Sequence, residues 1–279
     1  MRKNSSVIIS LITIAFLVFP CISIAMGGQP DVGKPDKRTM EKMTTSKQSN
    51  VLAAKSASQL PMKGIGCWVQ KPTLKNPFIY SDVCSWYVAD FSIMDSFNNK
   101  LNRPLFMSYA KKSDPDFLIA KMKQYKNKIV GVIWDYEVRD TPQSVAERDI
   151  KKAYAQAKDL NLSFGVFLWA NPKNSLKVNG VSYENAHTFA DFLMPMLYIQ
   201  LYDMRREKLE ELIRMERALT RLPLIATLTL ETTRKSLKKE ISPQEIVSIY
   251  KNLPVDGFCV WNLRNLNEEY VKALSAISK

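Results

Sequence analysis

Two acidic residues, Asp135 and Glu137, stand at the end of an apolar segment and have the spacing that acid catalysis would need. The segment from Ile129 to Trp134 is rich in β-branched residues, which favours a buried strand. Side chains two residues apart on a strand project from the same face, so both carboxylates would point to one side. The carboxyl end of a parallel strand is where α/β enzymes hold proton-transfer groups. The alternative is a strand that runs out into a solvated loop.

Short apolar segments recur from Lys63 to the end of the chain, separated by polar or helical stretches. Eight can be counted: Gly64 to Val69, Val83 to Ala89, Pro104 to Tyr109, the segment with Asp135, Leu162 to Ala170, Phe192 to Tyr198, Leu222 to Leu230, and Gly257 to Leu263. Strand and helix alternating eight times predict an α/β fold, the (β/α)8 TIM barrel, over residues 63–279. This length is near the lower limit for the fold, so the helices after the first two strands should be short or missing.

The first 62 residues differ in texture from the rest. Arg2 and Lys3 precede an apolar run that ends at Pro20, and Ser23 and Ala25 frame a small-residue cleavage site, so residues 1–25 are predicted to be a signal peptide. Residues 26–62 are predicted to be a flexible basic linker. We therefore expect an exported protein, periplasmic or extracellular, with no membrane span after signal removal. Lipid attachment at Cys21 is the alternative, disfavoured by the bulky Phe19 and Pro20 before it.

The formal net charge of +13 raises the question of a polyanionic partner. The Lys and Arg residues are dispersed over predicted outer helices and the linker, a pattern typical of solvated faces, so we expect no nucleic-acid partner. We expect the protein to be a monomer.

The cysteines and the histidine exclude several kinds of site. Cys67, Cys84 and Cys259 remain after signal removal, and none has metal-ligand spacing. One disulfide is possible in an oxidising compartment, but small buried core residues are the preferred interpretation. His187 is the only histidine, which argues against a Ser-His-Asp triad and a histidine-rich zinc site. We expect no metal and no cofactor.

Aromatic, amide and acidic residues accumulate at the predicted carboxyl ends of the strands. Aromatic rings stack on the apolar faces of sugars while amides and acids bind hydroxyl groups, so the set predicts a polysaccharide or oligosaccharide substrate. The predicted substrate-binding residues are Trp68, Tyr109, Trp169, Asn171, Gln200, Asp203, Glu231, Trp261 and Asn262.

The segment Gly131 to Glu137 resembles the fourth-strand motif of family-18 glycoside hydrolases, the chitinases and their relatives, which reads Asp-Gly-x-Asp-x-Asp-x-Glu. The glycine, the last aspartate and the glutamate match, whereas Val130 and Ile133 replace the first two aspartates. Further positions are similar to the family's strands: Ser108 to the third-strand serine, Trp261 to the eighth-strand tryptophan, and Met196-Leu197-Tyr198 to the sixth-strand Met-x-Tyr-Asp, with Ile199 in place of the aspartate. Gln200-Leu201-Tyr202-Asp203 resembles the plant-type form Gln-x-Tyr-Asn, and both registers stay open.

The resemblance implies substrate-assisted hydrolysis of an N-acetyl amino-sugar polysaccharide. Glu137 would protonate the glycosidic oxygen while the substrate's own acetamido carbonyl attacks the anomeric carbon. Asp135 would hold the acetamido nitrogen, and Tyr198 or Tyr202 would donate to the carbonyl. This route differs from the usual scheme with two catalytic carboxyl groups.

Two other functions fit the same barrel. Glu231, at the end of the seventh strand, could pair with Glu137 in a retaining glycosidase whose two carboxyl groups lie about 5 Å apart. Alternatively, the replacements at positions 130, 133 and 199 could accompany loss of catalysis in a glycan-binding barrel.

Overall fold

A computed structural model describes residue 60 and residues 62–109, 114–135, 141–198, 205–230, 242–261 and 263–277. Eight parallel strands form a closed barrel in the order of the chain, which confirms the predicted fold. The strands are β1 (Ile65–Val69), β2 (Cys84–Asp90), β3 (Leu105–Tyr109), β4 (Gly131–Trp134), β5 (Ser163–Trp169), β6 (Phe192–Met196), β7 (Ile225–Thr229) and β8 (Gly257–Trp261). The α-helices are α1 (Pro115–Tyr125), α2 (Gln143–Asp159), α3 (Pro172–Asn179), α4 (Arg206–Leu219), α5 (Pro243–Tyr250) and α6 (Glu268–Leu274).

The connections that follow the first two strands hold 3-10 turns in place of full helices. After β1 these are Lys71–Thr73 and Pro77–Tyr80, and after β2 the turn is Phe91–Ile93. The prediction of short helices after the first two strands is therefore confirmed. No helix in the described parts of the chain is long and apolar enough to cross a bilayer.

Four pairs of inward-facing residues fill the amino-terminal end of the barrel, which we call the floor. In each pair a glycine stands beside a large side chain on the neighbouring strand, and a Cβ atom on the glycine would collide with that side chain. Each large side chain thus occupies the space that the neighbouring glycine leaves. The pairs are Gly66 with Trp86, Gly131 with Phe106, Gly165 with Phe192, and Gly257 with Ile225. The Phe106 ring meets Trp86 and Phe192 edge-on, at 5.7 and 5.8 Å between centroids.

Two residues of the predicted linker also belong to the barrel. Leu60 and Met62 are buried and pack into the inner cluster, which includes Trp86 and Phe106. The packed domain thus begins no later than Leu60. The predicted signal peptide and the rest of the linker lie outside the described residues.

A disulfide joins Cys67 and Cys84 on β1 and β2, with their Cα atoms 5.5 Å apart. The preferred interpretation of these cysteines as free core residues was wrong, because the parallel register brings both to the outer face of neighbouring strands. Cys259 is free and buried inside the barrel, where burial raises the pKa of its thiol well above the usual value.

Two aspartates fasten the starts of strands in the second half of the barrel. Asp191, just before β6, accepts the N–H of Phe164 in β5 at 2.9 Å and pairs with Lys158 of α2 at 2.9 Å. Asp256, just before β8, accepts the N–H of Leu224 at 2.8 Å and pairs with Arg217 of α4. Each acid therefore ties two strand starts to the preceding helix at the floor end.

Candidate active site at the carboxyl end of the barrel

The carboxyl ends of the strands surround a mouth whose inward-facing side chains are mostly polar or aromatic. On each strand the residues alternate between an inner cluster and an outer cluster under the helices. We define the mouth by seven inward positions at or just beyond the carboxyl ends of β2 and of β4 to β8: Asp90, Asp135, Trp169, Met196, Tyr198, Thr229 and Trp261.

Asp135 directly follows β4 and continues its alternation. Ile133 is buried in the inner cluster and Trp134 in the outer one, so the next side chain returns to the interior side. The Asp135 N–H donates to the Tyr109 carbonyl at 3.1 Å, which extends the strand pairing to this residue, and the residue is partly exposed. Glu137, two residues further along the chain, lies outside the described residues.

Tyr198 and Trp261 form an aromatic wall on one side of the mouth. Their rings are stacked, with 5.4 Å between centroids and 22° between planes. Tyr198 is buried, whereas Trp261 is partly exposed and packs on the inner cluster. The wall therefore offers an indole face that could receive a sugar ring, with the phenol packed against it.

Trp169, at the end of β5, is held through its backbone by the segment that follows it. Its N–H donates to Asn179 Oδ1 at 3.1 Å, and its carbonyl accepts from the Tyr183 hydroxyl at 3.0 Å. The indole Nε1 is buried without a hydrogen-bond partner among the described residues. Asn171 caps α3 by accepting the Lys173 N–H at 3.1 Å, so this predicted substrate-binding amide has a structural contact.

Two predicted sugar-binding aromatics do not reach the surface of the mouth. Tyr109 faces outward and stacks on Phe117 of α1 at 5.6 Å, and burial raises the pKa of its hydroxyl. Trp68 faces inward as predicted but is only 1% exposed, one layer below the mouth, with its ring edge-on to Phe167 at 5.4 Å. Tyr109 therefore lies on the outer face of β3, and Trp68 lies on the inner face of β1 but below the surface of the mouth.

Five further predicted residues lie outside the described part of the chain, together with Glu137. They are Gln200, Tyr202, Asp203, Glu231 and Asn262. Of the two sixth-strand registers, only the one that ends in Tyr198 lies within the described residues, and it places Tyr198 at the mouth. The register Gln200-Leu201-Tyr202-Asp203 lies outside them.

Two buried hydroxyl groups below the mouth were not singled out as binding residues. Ser108 on β3 and Thr227 on β7 face inward, and neither hydroxyl has a partner among the described residues. The parity of β3 could have separated Ser108 from its neighbour Tyr109, since adjacent residues cannot both face inward.

Three tyrosine hydroxyls outside the barrel donate to backbone carbonyls at the mouth ends of consecutive strands. Tyr183 binds the carbonyl of Trp169, Tyr250 that of Leu197 at 2.9 Å, and Tyr270 that of Leu230 at 3.3 Å. No local sequence signal marks these contacts, because each joins residues 14 to 53 positions apart. They fix the ends of β5, β6 and β7 from behind.

The opposite end of the barrel has two open cavities, of about 470 and 330 Å³. The larger is lined by Leu60, Lys63, Gly64, Ser85 and Pro104, and the smaller extends from Asn99 to Val130. No predicted site residue lines either one. Among the described residues no group of three or more His, Cys, Asp or Glu side chains is arranged to hold a metal ion.

Comparison with known proteins identifies the fold. No protein-family model matches the sequence, and no curated protein sequence matches it. A GH18 chitinase from Pseudoalteromonas aurantia is similar in structure, with a TM-score of 0.54 and 13% identity over 78% of this chain and 100% of that one. The spore cortex-lytic enzyme SleL of Bacillus megaterium QM B1551 has a TM-score of 0.53 and 12% identity, over 78% of this chain and 75% of that one.

A GH128 endo-β-1,3-glucanase from Amycolatopsis mediterranei aligns with a TM-score of 0.55 and 9% identity, over 77% of this chain and all of that one. At these identities the similarity establishes the architecture. The protein is a (β/α)8 barrel, and its fold is similar to that of chitinase structures, as the resemblance of the fourth strand predicted.

Proposed function

We propose that the protein is an exported glycoside hydrolase that acts on an N-acetyl amino-sugar polysaccharide such as chitin, peptidoglycan or an envelope glycan. The observation that carries the proposal is the convergence of Asp135 with the aromatic residues Trp169, Tyr198 and Trp261 on one mouth. Barrel enzymes hold their chemistry at this end. The similarity of the barrel to glycoside hydrolases supports the same class of reaction.

In the proposed mechanism Glu137 is the general acid and Asp135 the positioning residue. Glu137 protonates the glycosidic oxygen, the acetamido carbonyl attacks the anomeric carbon, and Asp135 orients the acetamido N–H. A tyrosine hydroxyl, from Tyr198 or Tyr202, donates to the acetamido carbonyl. Trp169 and Trp261 bind sugar rings, and Asn171, Gln200, Asp203, Glu231 and Asn262 bind hydroxyl groups around them.

One observation favours a non-catalytic glycan-binding barrel as the second candidate. The position one layer below Asp135 holds Ile133, which is fully buried and apolar. A carboxylate there would interact electrostatically with Asp135, and an isoleucine cannot. The mouth would then bind the same sugars without cleaving them.

Hydrolysis of amino-sugar substrates by the wild type and a Glu137→Gln variant tests the proposal. The substrates are chromogenic N-acetylglucosaminides, chitin and peptidoglycan. We expect turnover by the wild type and a loss of at least about 100-fold in Glu137→Gln, because a general acid contributes on the order of 10²–10⁴. Binding without turnover in both proteins would establish the glycan-binding alternative.

Two matched pairs of variants assign the carboxylates. Glu231→Gln should retain turnover, and a loss as large as that of Glu137→Gln would establish the retaining scheme with Glu137 and Glu231 as its two carboxyl groups. Asp135→Asn should lose turnover, whereas Asp90→Asn should stay close to wild type because Asp90 Oδ1 already accepts the Ser92 N–H at 2.9 Å. Equal losses in the two aspartate variants would contradict the role of Asp135.

A further inference from the structure

A buried chain of polar groups lies directly behind Trp169. The Tyr183 hydroxyl is 3.0 Å from the Trp169 carbonyl and 3.4 Å from Glu216 Oε1. Tyr183 and Glu216 are both fully buried, Tyr183 in the connection after α3 and Glu216 in α4. A carboxyl group is rarely buried so completely unless it is paired or neutral.

The Tyr183 hydroxyl faces two acceptors. Tyr183 has one hydroxyl proton, and the Trp169 carbonyl is the nearer acceptor. The hydroxyl therefore donates to the carbonyl at 3.0 Å and shares its proton, at the longer distance of 3.4 Å, with Glu216 Oε1. Burial raises the pKa of Glu216 well above its usual value, and the hydrogen bond from Tyr183 opposes that shift.

The other side of the Trp169 backbone is also held. Asn179 Oδ1 accepts the Trp169 N–H, and the buried Ser175 hydroxyl lies 3.4 Å from the same oxygen. The indole N–H has no acceptor among the described residues, so the ring has no polar anchor of its own there. Among the described residues, packing and the backbone contacts behind the ring hold it in the mouth.

We propose that Tyr183, with Glu216 behind it, is a positioning residue that sets the orientation of the Trp169 indole as a sugar-binding face of the mouth. Neither residue touches the substrate. Their contribution is to fix the carbonyl of the last residue of β5, from which the ring projects. The sugar-binding part of this inference rests on the proposed function, and the orientation of the ring can be measured without any ligand.

The first test is the ¹⁹F NMR spectrum of protein labelled with 5-fluorotryptophan. The chain has five tryptophans, and Trp169→Phe assigns the resonance of Trp169. Tyr183→Phe removes only the hydroxyl and should shift or broaden the Trp169 resonance. Tyr87→Phe is the matched control, because the buried Tyr87 hydroxyl donates at 2.8 Å to the carbonyl of Ile79, which belongs to the β1–β2 connection and not to β5. A Trp169 resonance that is unchanged in Tyr183→Phe, or equally changed in Tyr87→Phe, would overturn the inference.

The second test measures the affinity for N-acetylglucosamine oligomers. Tyr183→Phe should weaken binding by roughly three- to tenfold, the size expected for loss of one buried hydrogen bond. Glu216→Gln should retain most of the affinity because the amide oxygen can still accept the hydrogen bond from Tyr183. In a Trp169→Ala background the effect of Tyr183→Phe should vanish, whereas a merely structural role would leave it unchanged. If no oligomer binds the wild type, the proposed function fails and the ¹⁹F spectrum alone decides the positioning role.

Discussion

The two ends of the barrel are built in opposite ways. The floor is apolar and close-packed, with four large side chains each lying against a glycine of a neighbouring strand. The mouth carries Asp135, partly exposed indoles and, one layer below, hydroxyl groups without partners among the described residues. Side chains at the floor pack against one another, whereas the indoles of Trp169 and Trp261 at the mouth are partly exposed.

Because of this difference, inward residues of one strand belong either to the packed floor or to the candidate site, according to their position along the strand. On β3, Phe106 belongs to the floor and Ser108, two residues later, lies below the mouth. On β8, Gly257 lies against Ile225 and Trp261 forms part of the aromatic wall. The same alternation that aligns these residues on one face assigns them to different tasks according to their depth.

Truncation of a large side chain at the floor should cause the largest loss of stability. Phe106→Ala should lower the free energy of unfolding by about 3–5 kcal/mol, because it removes a fully buried ring between Trp86 and Phe192 and leaves a cavity. Trp261→Ala should cost less than half as much, since that ring is partly exposed, yet it should abolish glycan binding. Urea unfolding of both variants measures the difference, and equal losses would break the distinction between floor and mouth.

The disulfide gives the next largest effect. Replacing both Cys67 and Cys84 by Ala should lower the free energy of unfolding by about 3 kcal/mol. The two cysteines are 17 residues apart in the sequence, and closing a loop of about 15 residues is expected to contribute about that much. Cys259→Ala, which removes a free thiol from the interior, is the control and should not alter the response to a reductant. If dithiothreitol does not lower the melting temperature of the wild type, the stabilising role of this bond is refuted.

The raised pKa of Glu216, which lies behind the mouth, predicts a smaller and pH-dependent effect on stability. Its folded pKa lies above the ordinary 4.5, with burial as the main cause and the Tyr183 hydrogen bond and Arg217 opposing it. The folded protein therefore keeps a proton that the unfolded chain releases, and stability falls as the pH rises from about 4.5 toward the folded pKa. Relative to Glu216→Gln, the wild type should lose up to about 1.4 kcal/mol per pH unit in this window.

Glu211 in the same helix is the control for that titration. Hydrogen bonding to Lys208 lowers its pKa, so its linkage has the opposite sign. Glu211→Gln should thus leave the fall in stability above pH 4.5 in place. A Glu216→Gln variant with the same pH profile as the wild type would contradict the buried, protonated state of Glu216.

The architecture could be predicted from the sequence because a barrel repeats one pattern many times. The eight apolar segments and the outward Trp134 follow from local periodicity, and the short first connections follow from the limited length of residues 63–279. The assignment of Tyr109 to the site was an error of strand parity. Adjacent residues of a strand cannot both face inward, and on β3 it is Ser108 that does so. Trp68 shows the limit of parity, because alternation gives the face of a residue but not its depth below the rim.

The remaining features depend on contacts between distant parts of the chain. The Cys67–Cys84 disulfide requires the register of β1 against β2, including the irregularity between Ile65 and Gly66. The contact of Tyr183 with Trp169 depends on how the connection after α3 folds back on β5. Neither of these contacts produces a periodic pattern in the sequence.

The central claim is that amino sugars bind at the mouth, and a crystal of the Glu137→Gln variant soaked with N-acetylglucosamine oligomers tests it most directly. We expect sugar rings against Trp169 and Trp261, with an acetamido group beside Asp135. Density for the oligomer in the cavities lined by Lys63 and Lys128 at the opposite end, with the mouth unoccupied, would contradict it.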